Sequence, residues 1–192
     1  MPLSQEHKEQ SKKKILESAF NLFTEHGFDN VSIDQIMQNV NMTRGAFYAH
    51  FSSKSSLYKE SISYSTLNNS PLLKTKDNSL SDKDWVKLLL AEYLSLDHVS
   101  GTSDTRCPLA FLTTDIALRD PLIRSTYSDI YTNMNKRILN YTKSYSNCDE
   151  SKMLAITSMI IGGVAIGRAV DDKELRQQIL ESCQQFANTL LE

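Results

Sequence analysis

The chain has 192 residues, of which 40% are hydrophobic, 23% charged and 8% aromatic, and its formal net charge is −2. That balance excludes a wholly disordered chain, and the length suffices to bury a core in one large domain or in a small domain joined to a medium one. Six glycines and four prolines make about 5% of the chain against a usual share of about 12%, which favours long helices over a sandwich or barrel.

The polar, lysine-bearing amino end (Met1 to Lys14) has no apolar run of the kind a signal peptide needs. Ile15, Ala19 and Leu22 form one row and Leu16, Phe20 and Phe23 the next, predicting a helix with a broad apolar face that ends at Gly27. Ser32 and Gln35 fit a capping box, and Val31 with Ile36 fits a hydrophobic staple, so a short second helix starts there. Ile33, Ile36, Met37 and Val40 give its buried face, and Asn41, tolerant of the left-handed conformation, ends it. Thr43 caps the next helix, in which Phe47 and Phe51 face inward and Arg44, Gly45, Tyr48 and Ala49 face outward. Two short helices joined by a turn of this kind form a helix-turn-helix.

Ser53 caps a fourth helix through Leu57, Tyr58 and Ile62, fading into a polar linker at 68–78 around Pro71. Ser81 with Asp84 opens a helix to about His98, a loop is expected at 101–106, and Pro108 and Pro121 suit first helical positions. The long helix from Pro121 carries the stripe Ile123, Tyr127, Ile130, Met134, Ile138 and Tyr141. Asn147 with Glu150, then Asp171 with Glu174, begin the last two helices. The expected fold is all-α, with about nine helices. The apolar run Met153 to Gly167 is short for a membrane span and reads as a buried helix.

From Asp34 to Tyr58 the sequence DQIMQNVNMTRGAFYAHFSSKSSLY resembles the DNA-binding core of the TetR family of bacterial transcriptional repressors, and AFNLFTEHGFDNVSI upstream resembles that family's first helix. The resemblance is specific over residues 11–62; beyond them, Gly162 to Val170 followed by Leu175 to Leu190 is similar to the family's final helix pair. In the turn, Val40, Asn41 and Met42 stand where the family usually has Ala-Gly-Val. The resemblance implies a helix-turn-helix domain over 1–62, a fourth helix at about 53–68 linking the domains, and an effector-binding and dimerisation domain over 63–192. It further implies a cytoplasmic homodimer that binds double-stranded, (pseudo)palindromic operator DNA, responds to an unidentified small molecule and needs no cofactor, metal or membrane.

Net charge does not announce a DNA binder, since residues 1–60 balance seven cations against seven carboxylates. Local placement does. Arg44 can reach guanine O6/N7 or a phosphate, Gly45 allows close backbone approach, and Ala46 lies where members of the family differ. Thr43, Tyr48 and His50 can donate to phosphates, as can the cap Ser32, although Tyr48 could pack on the first helix and His50 could be structural. Lys54, a cation in a first helical turn, opposes the helix dipole, and a phosphate nearby would account for it. Lys12, Lys13 and Lys14 read as a solvated charge run or as an arm that tracks the DNA backbone.

In the second domain Ala155, Ser158, Gly162, Ala165 and Ala169 make a small-residue stripe, and Leu175, Ile179, Cys183, Phe186 and Leu190 recur at the same spacings. Doubled by symmetry, such a pair makes a four-helix dimer interface; the alternative is a core seam within one subunit. Trp85, Tyr93, Cys107, Phe111, Asp115, Tyr127, Tyr131 and Met134 supply the apolar walls and few polar groups that suit an effector pocket, and each could equally be plain core. Cys107, ahead of Pro108 and beside Arg106, is placed as an N-cap where a thiolate would be favoured. The three cysteines form neither a disulfide framework nor a zinc pattern, and no catalytic motif stands out, so no enzyme is expected. The competing readings are a helical ligand carrier or enzyme without a DNA role, and a helical adaptor.

Overall fold

The computed structural model describes residues 5–101 and 106–192. Among these residues there are eleven α-helices, one 3-10 turn at Pro71–Leu73 and no strand. The helices are α1 (Gln5–His26), α2 (Ile33–Asn39), α3 (Arg44–Tyr48), α4 (Lys54–Asn69), α5 (Asp82–Tyr93) and α6 (Leu96–Ser100). They continue with α7 (Pro108–Phe111), α8 (Thr113–Ala117), α9 (Pro121–Thr142), α10 (Glu150–Ala169) and α11 (Lys173–Leu190). The count exceeds nine because two expected helices are broken. Ser95 interrupts the first of them: its hydroxyl donates to the Glu92 carbonyl (2.8 Å) and accepts the His98 N–H (3.1 Å), which stops α5 and restarts the chain as α6. The segment after Cys107 divides at Leu112 into α7 and α8.

Local chemistry sets the other boundaries. Gly27 (φ +77°) ends α1 and Asn41 (φ +54°) ends the turn after α2, both in the left-handed region that a C′ residue needs. Ser81 caps α5 by accepting the Asp84 N–H, and Pro108 and Pro121 are the first residues of α7 and α9. The cap of α10 is Asp149, not Asn147, and that of α11 is Asp172, not Asp171. The expected linker around Pro71 is packed: Ser70, Pro71 and Leu72 are buried, and Arg137 donates to the carbonyls of Leu73 (3.0 Å) and Lys74 (2.6 Å). The loop expected at 101–106 lies largely outside the described residues.

The chain divides into two compact units. One comprises the described residues up to Ser65 together with Leu112–Tyr127; the other comprises the described residues of Thr66–Phe111 together with Ser128–Glu192. In the first unit α1, α2, α3 and α4 enclose Ile15, Phe20, Phe23, Ile36, Met37, Phe47, Leu57, Tyr58 and Ile62, all essentially without solvent exposure. The Tyr58 ring meets Phe23 edge-on at 4.8 Å and Phe28 at 4.9 Å. The α8–α9 segment is anchored by Asp115, whose carboxylate accepts the Tyr58 hydroxyl and the Phe28 N–H (3.1 Å). Arg119, one turn on, donates two hydrogen bonds of 2.9 Å to Asp29, and its guanidinium lies 4.9 Å from the Phe28 ring.

In the second unit α10 and α11 pack along a seam at Gly163, where an added Cβ would come within 2.8 Å of the Cys183 sulfur. Helix α10 is the one helix among the described residues long and apolar enough to cross a membrane; Met153, Ile156, Ile160 and Val164 are buried against its own unit. His98 is buried beside Tyr93, and its Nδ1 lies 2.5 Å from the Tyr93 carbonyl, which makes that nitrogen the N–H donor and leaves Nε2 buried without a partner among the described residues. Burial first, and Arg168 secondarily, push the imidazole below its ordinary range against the opposing Tyr93 bond. The folded state therefore binds fewer protons than the unfolded chain. Stability is expected to be intact above about pH 6.5, the unfolded value, and to fall as pH drops through it. Melting temperatures between pH 8 and pH 5 check this, and His98→Gln is expected to flatten the profile over that window.

Candidate nucleic-acid interface

The Ser32 hydroxyl accepts the Gln35 N–H (3.2 Å) while the Gln35 side chain accepts the Ser32 N–H (2.7 Å), a complete capping box that sets where α2 begins. The Ser32 hydroxyl also donates to Gln35 (2.9 Å), so both polar groups of this residue serve the cap. At the other end Asn41 turns the chain left-handed and the Met42 N–H bonds back to the Met37 carbonyl (2.9 Å). Thr43 then starts α3, its hydroxyl oxygen accepting the Ala46 N–H (3.3 Å).

Phe47 is the anchor of α3, fully buried, and its burial fixes what points out. Thr43, Arg44, Gly45, Tyr48 and Ala49 are exposed and Ala46 is half-buried. Tyr48 stays 54% exposed, its ring edge-on to Phe47 at 5.0 Å. An added Cβ on Gly45 would meet nothing closer than the Thr43 hydroxyl at 3.7 Å. The glycine therefore has no internal steric reason, although it costs a helix about 0.5–1 kcal/mol relative to alanine. Arg44 donates to the Asp34 carboxylate across the turn (2.9 Å), and the Tyr48 hydroxyl, then Asp34, hold its guanidinium above the ordinary range.

His50 is half-buried, and burial, then Lys8 and Lys12 of α1, lower its affinity for a proton. Lys8 is absent from the sequence-based set; the clue to it is the four-residue spacing from Lys12 once α1 is extended to Gln5. Lys12, Lys13 and Lys14 are part of α1 and do not form an arm: Lys12 pairs with Glu60 (2.6 Å) and Lys13 lies 3.8 Å from Glu17. Lys54 opens α4. Its ammonium sits 4.2 Å above the Phe28 ring, and burial, the largest influence, pushes its pKa down while Asp29 opposes.

The residues expected around an effector divide between the units. Asp115 and Tyr127 belong to the first; the Asp115 carboxylate is already engaged by Tyr58 and Phe28, and the Tyr127 hydroxyl lies 3.0 Å from that of Thr113. Trp85, Tyr93, Cys107, Phe111 and Met134 are buried in the second unit, where Tyr131 reaches the hydroxyls of Thr157 (2.9 Å) and Ser158 (3.0 Å). Cys107 precedes α7 as expected, but the reactive environment is not there: the thiol is wholly buried and burial pushes its pKa up. Of the small-residue stripe, Ala155, Ser158 and Ala169 are exposed and Gly162 and Ala165 half-buried. On α11 Leu175 and Phe186 are exposed and Ile179 and Leu190 half-buried. The stripe thus faces outward, and Gly163 takes the internal seam.

The class defined by this geometry is an all-α protein with an amino-terminal helix-turn-helix. Residues 15–60 match the family described as bacterial regulatory proteins, tetR family. IcaR of Staphylococcus aureus, the biofilm operon icaADBC HTH-type negative transcriptional regulator, is 41% identical over 51 residues, 27% of this chain and 27% of that protein. Its counterpart in Staphylococcus epidermidis is 35% identical over 51 residues, 27% of this chain and 28% of that protein. The chain thus spans about a quarter of the length of these curated relatives. Over nearly the whole chain the fold is that of solved TetR-family transcriptional regulators. One from Cytophaga hutchinsonii superposes with a TM-score of 0.77 at 15% identity, covering 98% of each chain. Another, from Legionella pneumophila, gives 0.72 at 21% identity and covers 100% of each. By sequence the resemblance to this family covers residues 15–60, and over its length the chain shares the fold of solved TetR-family regulators.

Proposed function

We propose that the protein is a cytoplasmic transcriptional repressor that binds duplex operator DNA as a homodimer and is released by a small molecule. The observation that carries this reading is Gly45, a helix-weakening residue whose added Cβ would meet only the Thr43 hydroxyl, at an ordinary contact distance of 3.7 Å. In the second position of α3 its backbone N–H is one of the unpaired donors of a first helical turn, and without a Cβ it can reach a phosphate. Thr43, Arg44, Ala46, Tyr48 and His50 complete the contact set, with Lys8 added and Lys54 and Ser32 as peripheral members. The outward stripe from Ala155 to Ala169, with Leu175, Ile179, Phe186 and Leu190, is the proposed dimer face, which would pair two recognition helices on a (pseudo)palindromic site. The proposed effector site is confined to the second unit, at Trp85, Tyr93, Cys107, Phe111, Tyr131 and Met134, where the unpartnered Trp85 Nε1 and His98 Nε2 offer polar handles. A catalytic role is not proposed: the groups gathered on α3 are donors and a cation suited to a polyanion.

Gly45→Ala separates the two sides of this reading. The variant is expected to melt slightly higher, by the helix propensity of alanine, and to lose about 1.5–3 kcal/mol of duplex affinity if a backbone bond to a charged phosphate is pushed away. Anisotropy titrations against a labelled operator, selected from random duplex, measure the loss. Unchanged affinity would remove α3 from the interface.

A further inference from the structure

Arg44 and Asp34 stand on different helices, and their ion pair crosses the turn of the helix-turn-helix on the side that exposes Gly45 and Tyr48. We propose that Asp34 is a specificity-determining positioning residue, holding the Arg44 guanidinium so that it reads a guanine edge in the major groove and does not clasp a phosphate. This inference rests on the DNA-binding reading above.

The geometry is selective. Arginine has five N–H donors in a fixed plane, and Asp34 takes one of them, at Nη1, from one side. A fixed partner on a long, rotamer-rich side chain restricts it before any DNA arrives, while its remaining donors stay available for the O6/N7 pair of guanine. Charge points the same way. A carboxylate against a cation cancels most of the attraction for a phosphate, so the pair adds little to the counterion release that drives indiscriminate binding. An arginine employed only to grip the backbone would be better without the acid.

The helix dipole does not account for the arrangement. Asp34 lies in the first turn of α2, where any acid is favoured, but that benefit does not require it to face Arg44. Capping does not account for it either, because Ser32 and Gln35 already perform that task. Both side chains of the pair are more than half exposed, so its contribution to stability is small.

The test compares the parent with Asp34→Asn, Asp34→Glu and Arg44→Ala on three duplexes: a site selected from random DNA, that site changed at single base pairs, and an unrelated sequence. Asp34→Asn is expected to bind the unrelated duplex more tightly than the parent, because a repelling charge is gone. It should also lose about fivefold or more of the discrimination at one G·C pair per half-site. Arg44→Ala should lose the preference at the same pair, Asp34→Glu should retain part of it, and the melting temperature of Asp34→Asn should fall by about 4 °C or less, the helix-dipole share alone. A residue that only supports the fold would weaken all duplexes together. Preference unchanged at every position in Asp34→Asn, or affinity lowered uniformly, overturns the proposal while leaving DNA binding intact. A parent that shows no salt-dependent binding to any duplex overturns both readings.

Discussion

Asp115→Ala is expected to destabilise the first unit by about 3–5 kcal/mol, the cost of breaking a largely buried charged pair and leaving its partners behind. The Asp115 side chain is 19% exposed and the Arg119 side chain 9% exposed. Removal of the carboxylate strips the buried Tyr58 hydroxyl of its acceptor, leaves the Phe28 N–H unpaired, and takes from Arg119 an acid 3.6 Å away. Each orphaned donor carries a desolvation penalty of its own. The Tyr58 hydroxyl cannot escape by ionising, since burial, the largest influence raising its pKa, remains when the carboxylate is gone. At about 2–4 °C per kcal/mol for a chain of this size, the melting temperature should drop by about 6–20 °C. Asp115→Asn keeps the shape but presents an amide N–H₂ to one of two donors, so it should recover only part of the loss. The control is Asp29→Ala. Asp29 also binds Arg119, through two hydrogen bonds, yet its side chain is 73% exposed, and exposed pairs contribute little. Comparable losses in Asp29→Ala and Asp115→Ala would show that the arginine, not the buried carboxylate, anchors the α8–α9 segment.

The contrast between Asp115 and the helix caps shows what the sequence makes legible. Caps are local: Ser32 finds Gln35 three residues on, Thr43 finds the Ala46 N–H, and Asn41 takes its left-handed turn, all within one short stretch. Reading those positions in order is enough to recover the helix-turn-helix and the face that Phe47 leaves exposed. Where two polar residues compete for one cap, the choice depends on how the whole helix seats, and Asp149 and Asp172 prevail over their neighbours. Asp115 has no such local clue, since its partners lie 57 and 87 positions away and its neighbours Thr113 and Thr114 suggest a polar pocket. Cys107 fails for the same reason in reverse. Its position before α7 is readable, but the complete burial that raises its pKa depends on residues far along the chain. Arg44 is readable as an outward cation, while its tie to Asp34 appears only when α2 and α3 are set at their angle.

The largest functional effect is expected from a pair of adjacent glycines with opposite surroundings. At Gly162 an added Cβ would meet no atom within 4 Å, whereas at Gly163 it would press on the Cys183 sulfur, with Leu94 just beyond. Gly162→Leu should therefore leave the isolated subunit as stable as the parent or more so, because leucine outranks glycine in a helix by nearly 1 kcal/mol. Gly163→Leu should lower the melting temperature directly, since four carbons cannot enter the α10–α11 seam without moving one helix; overpacking of this kind costs about 1–3 kcal/mol or more. If the small-residue stripe is the dimer face, Gly162→Leu pushes the two subunits apart by the same overpacking, while Ile166, Leu175 and Phe186, all exposed, lose the partner that covers them. Two half-sites require two recognition helices at fixed separation, so operator affinity should collapse with the dimer although the first unit is untouched. Sedimentation velocity of both variants at micromolar concentration, read beside their melting curves, separates the cases. A Gly162→Leu protein that sediments as the parent dimer would move the interface off this stripe. A Gly163→Leu protein that melts as the parent would contradict the packing of α10 on α11.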